Sequence, residues 1–359
     1  MVETTGTEHE ITGGVDTHID THTAAALDGL GHLLGHQRFP TTVAGYAQLL
    51  AWLTGWGPVV AVGIEGTGSY GAGLARHLTA SGIRIVEVDH PDRRTRRKYG
   101  KSDPVDAVAA ARAVQAGTAT GTPKTRDGVV ESIRALRVAR NGAIKAHTAA
   151  INSLRQLVVT APEELRAHLT GLGSKTLVAT CARLRPGDLA DPIQGVKAAL
   201  RRLARRCQML DGEITDADTD LTSLVARAAP SLVERFGVGT EVAGQLLITA
   251  GDNPSRLRSE ASFAALCGVS PIAASSGRTN RHRLNRGGDR AANSALHRVV
   301  IVTMRYHPAT RAYVERRTAE GLSKREIIRC LKRYVARELL PDIQTAVPGP
   351  DTKPLPTAA

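Results

Sequence analysis

Two apolar runs near the start of the chain lead directly into an acid, and this constrains the fold more than any other feature. Ile11 to Asp16 reads as a short strand closing on an aspartate. Val59 to Ile64 is a continuous apolar run followed at once by Glu65. A run without polar alternation is expected of a strand buried on both faces, inside a sheet that helices cover. Between these runs, His22 to Leu27 reads as a second strand, Asp28-Gly29 as a turn, and Leu33 to Phe39 as the returning third strand. Thr42 to Trp56 has helical spacing, carried by Val43, Tyr46, Leu49, Leu50 and Leu53. A helix from Tyr70, a strand from Ile83 to Val88 and an Ala-rich helix from Asp103 to Ala116 follow. Three antiparallel strands and then βαβ units predict an α/β domain over residues 1–125.

The acids in this stretch suggest chemistry. Asp16 and Glu65 end strands, and Asp103 and Asp106 share one face at the start of a helix. Phosphodiester chemistry with two Mg²⁺ ions needs several carboxylates converging on one point, each ion keeping places for water and substrate. Acids so close repel one another unless a cation lies between them. Each alone also has an ordinary explanation: an Asp after a strand is a common turn residue, and Asp103 before Pro104 suits a helix cap. The four together, with this topology between them, favour the metal site.

Beyond residue 125 the pattern is helical. Gly195 to Ala226 sets Val196, Leu200, Leu203, Cys207, Leu210, Ile214, Ala217, Leu221 and Leu224 at alternating steps of four and three, a heptad seam. The seam fits a coiled-coil contact between subunits, favoured by its regularity. It also fits one long helix of an intramolecular bundle, with the basic helix Ile133 to Val158 as partner. Residues 126–229 are expected to be this helical region, 230–340 a mostly α C-terminal domain, and 341–359, with Pro-Gly-Pro and Pro-Leu-Pro, a disordered tail.

Within the C-terminal part, Phe236 to Ala243 reads as a helix-hairpin-helix turn whose Gly237 and Gly239 expose N–H groups to phosphate, although Gly-x-Gly before a helix is common. Ser275-Ser276-Gly277 precedes Arg278, Arg281, Arg283 and Arg286, so a hydroxyl stands among guanidiniums able to neutralise a phosphate; the plain alternative is a solvated loop. Arg93, Arg94, Arg96, Arg97, Lys98 and Lys101 stand just before the Asp103/Asp106 helix, placed to guide a phosphate backbone or grip a folded RNA. Lys324, Arg325, Arg329, Lys332 and Arg333 are expected to line a late helix opposite Ile327, Ile328, Leu331 and Val335, as nucleic-acid contacts or a solvated face.

Composition agrees with a polyanionic partner. Of 359 residues, 47 are Lys or Arg against 34 Asp or Glu, a formal charge of +13. The preponderance of Arg suits phosphate, and equally suits a GC-rich genome. Aromatics are 3%, too few for reading single strands by base stacking, so a bound strand is expected to be held by its backbone. Cys181, Cys207, Cys267 and Cys330 are too widely spaced for a zinc pattern and read as reduced thiols. No apolar run reaches membrane-spanning length and the first residues are unlike a signal peptide, which predicts a cytoplasmic, nucleoid-associated protein.

Three blocks carry a family resemblance: Gly14-Val15-Asp16-Thr17-His18, Gly63 to Tyr70, and Lys101-Ser102-Asp103-Pro104-Val105-Asp106-Ala107. They resemble the DEDD transposases of insertion sequences, bridge-RNA-guided recombinases related to the pilin-gene invertase. The stretch from Gly237 to about Leu339, including Asn285 to Arg290, is similar to the C-terminal transposase domain of that family. The resemblance implies an RNase H-like, RuvC-like N-terminal domain, with Asp16, Glu65, Asp103 and Asp106 as the Mg²⁺- or Mn²⁺-binding tetrad. It also implies Ser276 as the catalytic serine, with Ser275 as the alternative register. The implied partners are DNA, a structured guide RNA and further copies of the chain, the two sites meeting between subunits of a tetramer. Ile19 departs from the basic residue common in relatives and lies outside the tetrad. A RuvC-like nuclease acting through metal-activated water and a non-catalytic DNA-binding derivative are the rival readings.

Overall fold

The computed structural model describes residues 10–88, 102–278 and 282–346, and the chain divides into two compact units, residues 1–125 and 126–359.

The first unit is built on a five-stranded sheet in the order β3-β2-β1-β4-β5. Its strands are β1 (Ile11–Thr17), β2 (Thr21–Leu27), β3 (Leu33–Pro40), β4 (Val59–Glu65) and β5 (Ile85–Val88). The first three pair antiparallel, and β1, β4 and β5 run parallel. Helices α1 (Val43–Thr54) and α2 (Ala72–Ala80) cover one face, where Leu49, Leu53, Leu74 and Leu78 pack on Ile11, Val15, Val62 and Ile64. The other face takes α3 (Asp103–Gln115).

That second face is built for close approach. The strand residues facing α3 are Gly14 and Gly63, paired in the β1–β4 register, and the helix answers with buried Ala107, Ala110 and Ala111. A Cβ on Gly14 would stand 2.1 Å from the Ala107 carbonyl oxygen, so only glycine admits the helix backbone here.

The second unit holds two long helices, α4 (Val129–Val159) and α7 (Pro192–Ala228). Between them lie α5 (Glu163–Leu169) and α6 (Ser174–Ala182). After them come α8 (Pro230–Val233), α9 (Thr240–Ala250), α10 (Glu260–Leu266), the ribbon β6 (Ile272–Ala273) and β7 (His282–Arg283), α11 (Arg290–Tyr306), α12 (Pro308–Ala319) and α13 (Lys324–Gln344). Leu154 and Val158 of α4 pack with Leu200 and Cys207 of α7, while Val130 and Ile133 share a second core with Leu221 and Val225. The two helices therefore run antiparallel. This corrects the coiled-coil contact between subunits, because the apolar seam of α7 is covered by α4 of the same chain. The second core continues through residue 229 to include Leu246, Phe263, Leu296 and Ile343.

The tail expected from residue 341 begins too early. Pro341 lies inside α13, Asp342 accepts from Arg235 at 2.7 Å, and Ile343 is fully buried. Residues 347–359 lie outside the described residues. Lys332 also departs from expectation: it is only 8% exposed rather than on the solvated face of α13. It falls on the Ile328–Lys332–Ala336 row, and that row is turned toward the core. No described helix is long and apolar enough to cross a membrane.

Candidate active site

Strand parity assembles the first unit's acids. Gly14 and Gly63 face α3, so Asp16 and Glu65, two residues further along parallel neighbours, face the same way at adjacent strand ends. Both are buried, Asp16 at 9% and Glu65 at 8% exposed. The Thr17 hydroxyl donates to the Glu65 carbonyl at 2.8 Å and ties the two ends together.

Helix α3 supplies the other two acids from its first turn. Ser102 is its N-cap residue, so Asp103 stands inside the helix with Pro104 after it, and the capping reading of Asp103 moves back one residue. Asp106 is buried at 4% exposed and Asp103 is half-buried. Acids in a first turn are favoured by the helix dipole. His18 Nε2 lies 3.1 Å from Asp16 Oδ2 and 3.5 Å from Asp103 Oδ1, bridging strand and helix. Arg38 donates to Asp103 Oδ2 at 3.1 Å.

Burial pushes the Asp16 carboxyl above its ordinary range; the charge of His18 opposes this, while Asp103 and Asp106 add to it. Asp103 and Asp106 act on Asp16 as like charges, an electrostatic conflict that a cation relieves. Ligand atoms of Asp16, His18 and Asp103 all lie within 4.8 Å of one another, so this cluster could hold a metal ion. Its two carboxylates offer oxygen donors that suit a hard divalent cation and His18 adds a ring nitrogen, while Glu65 and Asp106 fall outside this three-residue cluster.

Sequence reasoning missed His18 and Arg38 as members of this cluster. His18 carried a signal: two residues beyond Asp16, it continues the same strand face. Arg38 carried none locally, since it reaches the row through register, Asp16 opposite Thr23 and Thr23 opposite Arg38.

In the second unit, β6 and β7 pair Ile272 with Arg283 and Ala273 with His282. Ser275 and Ser276 are exposed in the connection between them, and Arg278, Arg283 and Arg286 are exposed around it. Arg281 lies outside the described residues, as do Arg93, Arg94, Arg96, Arg97, Lys98 and Lys101. The base of this ribbon is locked by two glycines. A Cβ on Gly288 would lie 2.6 Å from Gly268 N, and one on Gly268 would lie 2.4 Å from the Gly287 carbonyl; both have positive φ. Asp289 then caps α11 through the N–H groups of Ala291 and Ala292. Gly237 and Gly239 fall in the turn between α8 and α9, with Gly239 exposed as the N-cap residue. The first turn of α9 carries Glu241, paired with Arg137 at 3.1 Å and Arg140 at 3.2 Å.

Residues 13–161 match the family model for the DEDD transposases of IS110, described as Transposase. Residues 230–315 match the model described as Transposase IS116/IS110/IS902 family. The chain belongs to the DEDD-type IS110 transposase family. The first unit is accordingly RNase H-like, and its mixed five-stranded sheet agrees. The chain is similar to the insertion element IS110 uncharacterized 43.6 kDa protein of Streptomyces coelicolor, 36% identical over 26% of this chain and 23% of that protein. It is also similar to the insertion element IS900 uncharacterized 42 kDa protein of Mycobacterium paratuberculosis, 27% identical over 37% of this chain and 34% of that protein. The matched segments thus span about a quarter to a third of these relatives' own lengths.

Proposed function

We propose that this chain is the transposase of an insertion element, cutting and rejoining DNA. The observation that carries this reading is the acidic edge of the first unit, where Asp16 and Glu65 end adjacent strands and Asp103 approaches Asp16 through His18. In the proposal, Asp16, Glu65, Asp103 and Asp106 hold Mg²⁺, with Mn²⁺ as a substitute. Such a cation, when bound, neutralises charge on the scissile phosphate and favours ionisation of the attacking hydroxyl. His18 and Arg38 hold the carboxylates of Asp16 and Asp103 in place.

Ser276 is the proposed nucleophile. Its Oγ forms a bond to phosphorus and loses its proton to solvent. The phosphorus–oxygen bond to the neighbouring nucleotide breaks, and that oxygen leaves as a hydroxyl. Bond energy is retained in the phosphoserine, so attack by another strand's hydroxyl rejoins DNA without a further energy source. Arg278, Arg283 and Arg286 supply cationic charge around the serine. A structured RNA of the element as guide, and assembly of several copies, complete the proposal.

The test is cleavage of labelled element-end DNA followed by denaturing electrophoresis and peptide mapping. Wild type should give a covalent adduct at Ser276, and Ser276→Ala should give none while still binding DNA. Asp103→Asn with Asp106→Asn should abolish cleavage without unfolding. A band mapping to Ser275 moves the nucleophile by one residue. Metal-dependent cleavage with no adduct favours the water-using nuclease, a reading supported by the acidic cluster being drawn from the first unit alone.

A further inference from the structure

A cavity of about 580 Å³ opens at the base of the β6–β7 ribbon in the second unit. Its cationic lining is Arg283 of β7, Arg317 of α12, and Arg329 and Lys332 of α13. The lining carboxylate is Glu326, whose Oε2 serves the capping box of α13 through Ser323 and whose Oε1 lies 3.8 Å from Arg329. Val269 and Leu322 add apolar wall.

Lys332 is the unusual member. It is 8% exposed, and its Nζ donates at 2.8 Å to Asn293 Oδ1, a neutral acceptor. The Asn293 amide in turn donates to the carbonyls of Cys267 and Gly268, so the ammonium is anchored to the ribbon's base. An ammonium offers three protons, and a buried cation next to further cations is costly unless an anion joins it. Arg317 adds a second sign: its Nη1 pairs with Glu320, but its Nε is buried without a hydrogen-bond partner among the described residues. Two elements on different helices thus present unspent donors at one cavity.

We propose that this cavity binds one nucleotide of a nucleic-acid strand, its phosphate on Lys332, Arg329 and Arg317 and its sugar and base against Val269 and Leu322. A cavity of this volume falls within the usual range for small-ligand sites and exceeds what a lone phosphate fills. The proposal rests on the nucleic-acid reading given above and adds a distinct pocket to it, in the same unit as the ribbon that carries Ser276.

The test uses the full chain in EDTA, titrated by calorimetry with thymidine 5′-monophosphate, thymidine, and a short oligothymidylate. The monophosphate and the oligonucleotide should bind, and thymidine should not. Lys332→Met should weaken both by roughly tenfold or more, the order set by one charge-assisted hydrogen bond. Its circular dichroism should be unchanged, and Arg329→Gln provides the same comparison should Lys332→Met fold poorly. The readout is binding in EDTA without cleavage, so loss of the recombinase reading leaves this result interpretable. Equal binding by folded Lys332→Met and Arg329→Gln overturns the site, as does thymidine binding as well as its monophosphate. A mononucleotide that binds where the oligonucleotide does not would overturn the strand as its source.

Discussion

Replacing Gly14 by Ala tests whether the α3–β1 approach sets the geometry of the acidic edge. The new Cβ would lie 2.1 Å from the Ala107 carbonyl oxygen, 2.3 Å from Ala111 N and 2.8 Å from Ala111 Cβ. Two of these are backbone atoms and cannot rotate away. Restoring ordinary contact at 3.4 Å requires the helix to retreat by about 1 Å. Overpacking of this kind costs on the order of 1–3 kcal/mol of stability. Asp103 lies one turn before Ala107 on the same rigid helix, so its 3.5 Å approach to His18 should open by a similar amount. A misplacement of about 1 Å costs on the order of 10²-fold in rate when it disturbs positioned catalytic groups. Thermal unfolding and single-turnover cleavage with Mg²⁺ read the two effects. Gly142→Ala is the control, since nothing lies within 4 Å of its added Cβ inside α4. It should stabilise by about 0.5–1 kcal/mol and leave cleavage unchanged. Wild-type stability and cleavage in Gly14→Ala would refute the close-approach argument.

Burial raises the Asp16 pKa above its ordinary 3.8. An acid whose folded pKa is raised stabilises the fold while protonated and loses that contribution as pH climbs through the raised value. In EDTA the melting temperature should therefore fall over that interval in wild type and fall less in Asp16→Asn. Added Mg²⁺ should raise it in wild type and not in the variant. Leu200→Ala should destabilise by about 2–5 kcal/mol, by the same amount at every protein concentration, because its partner is α4 of the same chain. Concentration dependence in sedimentation-matched melts would return the α7 seam to a contact between subunits. Asp289→Ala should cost about 1 kcal/mol or more through loss of the α11 cap. Arg286→Ala, an exposed change, should leave the melting temperature alone and weaken DNA binding with a shallower salt dependence.

Most of the first unit was legible because each element obeyed its own local period. The strands from Ile11, His22, Leu33 and Val59 are all present, displaced by a residue or two at their ends. The acids were legible for the same reason: a strand end and a helix start are local features. Arg38 was not, because its place beside Asp103 depends on pairing across two strand interfaces. The α7 seam shows the opposite failure. Heptad spacing states that a helix has an apolar face, and is silent on whose helix covers it. Lys332 fails differently again, since its charge suggested solvent although the 328–332–336 row already marked it as inward.

The Asn285-to-Arg290 block joins two kinds of residue that sequence alone could not separate. Asn285 accepts from the Gly287 N–H, Gly288 seats against the end of α10, and Asp289 takes the cap of α11. Asp289 Oδ2 also lies 2.7 Å from the buried Thr249 hydroxyl, which lies 3.2 Å from Gln245 Nε2. The Gln245 carbonyl oxygen of the side chain accepts from Arg137 of α4 at 2.7 Å. A chain of polar contacts thus runs from α4 through α9 to the start of α11, inside the second core. Such a buried polar chain favours one arrangement of its helices, because a slip leaves further donors unmatched in a low-dielectric interior, where Arg137 Nε already lacks a partner among the described residues. The glycines and Asp289 therefore make the ribbon's base rigid, and Arg283 and Arg286 stand exposed on that base. A motif that looks uniformly cationic in sequence is a rigid mount carrying a cationic rim, and the proposed chemistry at Ser276 needs both.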